Sequence, residues 1–241
     1  MRHCIVPDWP APPGVHALQT TRHGGVSSAP YGTLNLGSHV GDDPLAVARN
    51  RMLLEPLLPS EPIWLKQVHG STVTDAGSAG CLPEADACVS RHRGAVCVVM
   101  TADCLSVLLC DRNGSAVGAA HAGWRGLCSG VIEATVHALQ SDPAQVMAWL
   151  GPAIGPGAFE VGAEVRDAFL AQHEAAATAF TASTPGKWHA DLYRLARFRL
   201  HAAGVTQIYG GGFCTYTDAE RFYSFRRDGT TGRMASFIWL A

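Results

Sequence analysis

The chain has 241 residues, 47% of them hydrophobic and 16% charged, and a formal net charge of −2. That composition suits a globular chain long enough for a real core and excludes a disordered one. Scattered Lys and Arg give no field for a nucleic-acid partner, and no apolar run approaches the ~18 residues of a membrane span, so the expected setting is the cytoplasm, with no membrane.

The opening MRHCIVPDWPAPPG lacks the continuous apolar stretch of a secretory signal. Residues 15–20 (VHALQT) alternate as a strand. The next segment, TRHGGVSSAPYGTLNLGSHVGDD, is polar, rich in Gly and Ser and too long for a connector, which points to a functional loop. Asp42 or Asp43 caps a helix with Pro44 in its first turn. The spacing of Leu45, Val47, Met52, Leu53 and Leu57 carries that helix to about Leu58. IWLKQVH reads as a strand ending at His69-Gly70; STVTDA and a Gly/Ser turn follow, and ADACVS is another short strand.

Three apolar runs then fill the stretch from Gly94 to Gly130, each long enough for a buried strand. Asp103 and Cys104 lie in the first turn between them, Asp111-Arg112-Asn113-Gly114 forms the second, and the third run ends at His121. A helix is expected from Trp124 to about Leu139, with Val131, Ile132, Ala134, Thr135 and Ala138 on one face. VMAWLGPAIGP is a strand running into a turn. VGAEVRDAFLAQH is an amphipathic helix on Val161, Val165, Phe169 and Leu170 that AAATAF continues or caps, and ASTPGKWH is a loop. DLYRLARFRLHAAG is the clearest helix, with Asp191 at its start and Gly204 as its stop. VTQIYG is a strand, residues 211–233 are mostly loop, and MASFIWLA is a closing strand. Strands and helices mix without strict alternation, which predicts one α/β domain over residues 1–241 with mixed sheets.

None of the eight cysteines falls in a C-x-x-C pair, which argues against a zinc ribbon or a thioredoxin-like motif. In a reducing cytosol disulfides are not expected. Cys97 and Cys110 sit within apolar runs as small core residues. Cys104 differs, because a strand end aims it outward beside Asp103. His69, Cys104 and His121 all end strands, 35 and 17 residues apart. Two imidazoles and a thiolate match the three protein ligands of a catalytic zinc with an open fourth position. The same residues also suit a cysteine nucleophile with His121 as base, a copper site with Met100, or plain hydrogen bonding at strand ends. The deaminase pattern H-x-E with P-C-x-x-C is absent.

Asp103 is placed to carry a proton, to support a ligand, or to stabilise its own turn as an Asx residue. Arg125 stands where a helix begins, beside free N–H groups suited to an anion; as a surface residue it would need no such role. Arg226, Arg227 and Arg233 lie in SFRRDGTTGR, a phosphate-binding loop or a solvated turn. Arg22, His23, Asn35 and Asp42 give the early loop polar groups for substrate recognition.

KQVHG, ADACVS, MTADC, AAHAGWRG, GPAIGPGAFEVGAEV, CTYT and FYSFRRDGTTGRMASFIWL, in this order, closely resemble the bacterial YfiH group. That is the laccase-domain family called multicopper polyphenol oxidase and, more recently, purine nucleoside phosphorylase. T-R-H-G-G-V-S and L-N-L-G extend the resemblance over nearly the whole chain, and TADC with HAGWRG is its most specific part. The resemblance implies an α/β/β/α sandwich, mixed sheets between helices, shared with certain cysteine-hydrolase-like toxins. It implies a zinc site on His69 of Q-V-H-G, Cys104 of T-A-D-C and His121 of H-A-G-W-R-G. The implied activities are phosphorolysis of adenosine, inosine, guanosine and methylthioadenosine, and adenosine deamination.

On that basis His69, Cys104, His121 and Asp103 are the expected catalytic residues. Arg125, Arg226, Arg227, Arg22 and Asn35 are expected to meet purine nucleoside and phosphate. A cysteine hydrolase or peptidoglycan-precursor editor using Cys104 and His121 is the alternative, and a copper polyphenol oxidase a second, although no His-rich multicopper pattern occurs. A non-enzymatic metal-storing or partner-binding protein is a further alternative. Ser106 departs from the family, whose members often carry Pro there; this loosens the Cys104 turn but removes no ligand. The oligomeric state is open between monomer and homodimer.

Overall fold

The computed structural model describes residues 4–78 and 80–241. A four-stranded antiparallel sheet runs in the order β1 (Cys4–Ile5), β2 (Val15–Thr20), β13 (Met234–Leu240), β5 (Val96–Thr101). A six-stranded sheet runs β12 (Gln207–Gly210), β8 (Val146–Leu150), β6 (Leu105–Asp111), β7 (Val117–Ala122), β4 (Ala87–Ser90), β3 (Val73–Asp75). Its outermost pairs are parallel and its inner ones antiparallel. A small antiparallel sheet joins β10 (Phe180–Ala182), β11 (Lys187–Ala190) and β9 (Glu160–Gly162).

The two large sheets pack face to face, Cys97, Val99 and Ile238 of one meeting Cys88, Leu108, Val117 and Trp149 of the other. The far face of the six-stranded sheet, with Val107, Leu109 and Ala120, is covered by four helices. These are α2 (Trp124–Ser129), α3 (Val131–Ala138), α4 (Ala163–Leu170) and α5 (Leu192–Ala202). The far face of the four-stranded sheet, with Leu18, Val98 and Phe237, lies under Leu34, Leu36, Leu54 and Trp64 from the segment that includes α1 (Pro44–Met52). Helix, sheet, sheet, helix is the expected layering. With both faces covered, β5, β6 and β7 are buried at every residue and read as unbroken apolar runs.

The turn at Asp103 is a passage between sheets. β5 pairs with β13, whereas β6 pairs with β7 and β8, so Ala102-Asp103-Cys104 carries the chain from one sheet to the other. The expected strand at 63–69 is irregular, and its ladder pairing among the described residues is limited to single bridges at Ile63 and Lys66. The expected helix to Leu58 stops at Met52, with a 3₁₀ turn at Glu55–Leu57, because Pro56 has no N–H to donate to the Met52 carbonyl. Leu45 and Met52 of that helix face solvent, and its buried residues are Val47 and Asn50.

The helix expected over 124–139 is broken by Gly130, which takes φ 93°. Val161 belongs to β9, so the next helix begins only at Ala163. ASTPGKWH closes the β10–β11 hairpin instead of forming a free loop. In α5 the Asp191 carboxylate caps the Arg194 N–H at 2.9 Å, and Gly204 at φ 89° ends the helix, as expected. Asp43 likewise caps α1 at Leu45 N. A short helix, α6 (Phe225–Asp228), sits in the last loop. Ala79, in the Gly/Ser turn expected after β3, lies outside the described residues. Among the described residues no helix is long and apolar enough to cross a membrane.

Candidate active site

His69, Cys104 and His121 meet at one end of the six-stranded sheet, and their ligand atoms all lie within 4.8 Å of one another. Three different elements deliver them. His121 is the second-last residue of β7 and is buried. Cys104 leaves the passage between the sheets, where Asp103 takes φ 86°. His69 tips an irregular loop at φ 62°, a conformation that His tolerates better than most residues.

Asp86 organises two of the three. Its carboxylate accepts the backbone N–H groups of Val68 at 3.2 Å, His69 at 2.9 Å and Gly70 at 2.7 Å. The same carboxylate accepts Nδ1 of His121 at 2.8 Å. Turning three consecutive N–H groups onto one buried carboxylate is incompatible with an extended strand, so the backbone at 68–70 is not one. With Nδ1 of His121 occupied, Nε2 is left for a ligand, the usual carboxylate–histidine–metal arrangement. Burial opposes ionisation of Asp86, but the His121 hydrogen bond, the Gly70 N–H, the His121 charge and the Val68 N–H outweigh it and hold its pKa below 3.8.

Cys104 Sγ stands 3.8 Å from His69 Nε2. The two imidazole rings are 4.8 Å apart at 71°. Burial pushes the Cys104 thiol up, but the charge and hydrogen bond of His121, then His69, bring it down to about 6. Burial pushes His121 down, and Cys104 with Asp86 raises it to about 9. The donor set fits a tetrahedral zinc. Bonds of ~2.0–2.3 Å put ligand atoms roughly 3.4–3.6 Å apart, so closing on one ion needs shifts of about an ångström. Gly123 makes the close approach feasible: a Cβ there would lie 2.8 Å from Cys104 Sγ and 3.1 Å from His69 Cδ2.

Two cavities adjoin the triad. The larger, about 360 Å³, is lined by Trp124, Arg125, Ile154, Phe159 and Arg226 among others; the smaller, about 220 Å³, reaches Gln67, Thr101 and Arg233. His69, Ala102, Cys104 and Phe225 line both. Asp103 is spoken for: its carboxylate accepts Thr215 Oγ1 and the Arg226 N–H, both at 2.6 Å, and its carbonyl accepts Ile154 N–H at 2.9 Å. It therefore ties the CTYT and SFRRD segments to the Cys104 turn.

The expected arginines divide sharply. Arg125 is exposed at the larger cavity, stacked 4.6 Å from the Trp124 ring. Arg226 reaches the same cavity while donating to the Glu160 carbonyl at 2.8 Å. Arg227 lines neither; its guanidinium is committed to Thr215, Tyr216 and Phe222 carbonyls and to Asp228. Arg22 lines neither, donating to the carbonyls of Gly32 and Ala219. Asn35 is fully buried, bonded to Gly37, Asp42 and the Arg233 N–H. Arg22 and Asn35 shape the early loop, and neither lines the two cavities beside the triad.

The sequence reading missed Asp86, Gln67 and Phe225. A lone acid before a short buried strand was the available signal for Asp86. Gln67 both donates to and accepts from the Met100 backbone, at 2.8 and 2.7 Å.

The multi-copper polyphenol oxidoreductase laccase family model matches residues 16–241. A Pseudomonas aeruginosa protein named purine nucleoside phosphorylase is 57% identical over 241 residues, covering 100% of this chain and 99% of its own. The Escherichia coli purine nucleoside phosphorylase YfiH is 56% identical over 243 residues, covering 100% of both chains. The crystal structure of a Neisseria meningitidis protein superposes with a TM-score of 0.96 at 52% identity, covering 99% of each chain. YlmD from Geobacillus stearothermophilus gives 0.85 at 33% identity, covering 95% of this chain and 92% of its own. With a His-Cys-His triad able to hold a metal on a two-sheet sandwich and matches of this extent, the chain belongs to the multi-copper polyphenol oxidoreductase laccase family.

Proposed function

We propose that the protein is a zinc-dependent purine nucleoside phosphorylase acting on adenosine, inosine, guanosine and methylthioadenosine, with adenosine deamination as a second reaction. The observation that carries this reading is the convergence of His69, Cys104 and His121 beside a cavity of nucleoside size, in a chain over half identical to proteins named purine nucleoside phosphorylase. Small-molecule sites span roughly 300–1,000 Å³, and the larger cavity of about 360 Å³ falls within that range. Trp124, Phe159 and Phe225 offer it aromatic surface for a purine, and Arg125 and Arg226 offer donors to the nucleoside. A zinc ion on the triad would supply Lewis-acid charge at the reacting end of that cavity. Asp86 fixes the tautomer of His121 and the position of His69, and Asp103 holds the Cys104 turn.

The test is elemental analysis of purified protein followed by product identification with inosine and adenosine, with and without phosphate. Phosphorolysis gives free base and ribose 1-phosphate only when phosphate is present; deamination of adenosine persists without it. Zinc-free active protein, or no phosphate-dependent product, would reject the reading.

One observation favours a second reading. Cys104, its thiol lowered to about 6, lies beside His121, itself hydrogen-bonded to Asp86, which is also a nucleophile–base–orienter arrangement. A Cys104→Ser variant separates the two: a zinc enzyme loses metal and activity together, a cysteine hydrolase loses activity alone. Copper in place of zinc is resolved by the same elemental analysis. Eight unpaired cysteines accord with a reducing compartment such as the cytoplasm.

A further inference from the structure

The smaller cavity differs in kind from the larger. None of its lining residues is an Asp or Glu, and its permanent cation is Arg233. The backbone of Arg233 is held by Asn35 Oδ1, which accepts its N–H at 2.9 Å, and by Leu36, whose N–H donates to its carbonyl at 3.2 Å. Its stem packs closely against Gly37, where a Cβ would lie 2.8 Å from Arg233 Cγ. Nη1 donates to the carbonyls of Thr231 and Gly232, both at 3.0 Å. Nε and Nη2 donate no hydrogen bond among the described residues, and the guanidinium lies 5.9 Å from the centre of the Phe225 ring. Thr101, 2% exposed and lining the same cavity, has a hydroxyl without a partner among the described residues. A part-buried guanidinium and a buried hydroxyl with spare capacity are costly unless something fills it.

We propose that this cavity is the inorganic-phosphate subsite, with Arg233 as its anion receptor and Thr101 as a neutral hydrogen-bonding group. The inference rests on the phosphorolysis reading and replaces Arg125, Arg226 and Arg227 as the phosphate ligands. At about 220 Å³ the cavity holds roughly seven waters at ~30 Å³ each, ample for a tetrahedral oxyanion but small for a nucleoside. The wall it shares with the larger cavity, at His69, Cys104 and Phe225, is where the ribose would lie, base on one side and phosphate on the other. That partition suits attack on C1′ opposite the leaving base. An oxygen of hydrogenphosphate bonds to C1′, the C1′–N9 bond breaks with its electron pair going to the base, and the phosphate proton ends on the base nitrogen.

The experiment compares the parent protein, metal content measured, with Arg233→Met, Arg233→Lys, Thr101→Val and Arg125→Ala. The readouts are ³¹P line broadening of inorganic phosphate and the phosphate and inosine half-saturation of turnover. Losing a charge-assisted contact should raise phosphate half-saturation about 10- to 150-fold in Arg233→Met, and losing a neutral one about 5-fold in Thr101→Val. Inosine half-saturation and metal content should stay within about twofold, Arg233→Lys should recover part of the loss, and Arg125→Ala should leave phosphate half-saturation alone. Where Arg233→Met lowers metal content, Arg233→Lys and Thr101→Val carry the comparison. Turnover with parental phosphate dependence in both Arg233 variants would overturn the subsite while leaving phosphorolysis standing. Broadening that requires Arg233, in a protein that makes no ribose 1-phosphate, would instead reject phosphorolysis and keep the anion site.

Discussion

Replacing Asp86 by Asn tests how the triad is assembled, because one carboxylate serves four donors. Asp86 accepts three backbone N–H groups and His121 Nδ1, all between 2.7 and 3.2 Å. The amide keeps the volume but loses the charge, and its own NH₂ confronts some of those donors. Losing a hydrogen bond to a charged acceptor costs about 1.5–3 kcal/mol, and a buried donor left unpaired about 1–3 kcal/mol. Some of the four bonds survive at the remaining carbonyl oxygen, so a net loss of about 3 kcal/mol is expected. At roughly 2–4 °C per kcal/mol for a chain of this size, Tm should fall by about 6–12 °C. Disturbing the partner of a metal-binding His typically costs about 10- to 100-fold in metal affinity, and here His69 is disturbed too. Scanning calorimetry of the metal-free protein and competitive chelator titration of the loaded one read these two effects separately. The acid limb supplies the sign: the Asp86 pKa is held below 3.8, so its contribution is present above that value and lost as pH falls through the lowered one. Asp86→Asn should flatten that limb. A variant with Tm within about 1 °C of the parent and undiminished zinc affinity would refute the assignment, given the energies above.

In metal-free protein, Cys104 alkylation by iodoacetamide should rise through about pH 6, since its thiolate forms above that value, and His121→Gln should move the midpoint upward. A midpoint in the ordinary thiol range for the parent would contradict this. Gly123→Ala should weaken metal binding about 5- to 150-fold, since an overpacking cost of about 1–3 kcal/mol falls on Cys104 and His69; chelator competition checks it, and an unchanged affinity counts against the geometry. Phe225→Ala should raise inosine half-saturation by about 2- to 10-fold, consistent with ~0.5–1.5 kcal/mol for aromatic stacking, while unaltered steady-state kinetics would remove Phe225 from the site.

The parts of the fold legible in the sequence are those set by local chemistry. β5, β6 and β7 announce themselves because strands covered on both faces need apolar residues throughout. The cap at Asp191 and the stop at Gly204 follow from a carboxylate that bonds a free N–H and a glycine that accepts positive φ. The stretch 63–69 was misread because its apolar content suits a strand, while its backbone is turned by a carboxylate seventeen residues from His69. Helix 124–139 was misread at Gly130, since periodicity runs on across a single residue in the left-handed region.

The residue types of the site are legible too: motif resemblance, and the expectation of His and Cys at strand ends, single out His69, Cys104 and His121. What lay beyond reach was orientation. Arg22, Arg227 and Asn35 look as suitable for a ligand as Arg233, and only the packing of residues far apart in sequence commits the first three to loop carbonyls and neighbouring polar groups while leaving two nitrogens of Arg233 uncommitted. Sequence by itself determined which chemistry the chain carries, because side-chain type is local. Tertiary structure alone decided which of those groups are satisfied and which face a cavity, because hydrogen-bond partners and empty space are set by contacts across the whole chain.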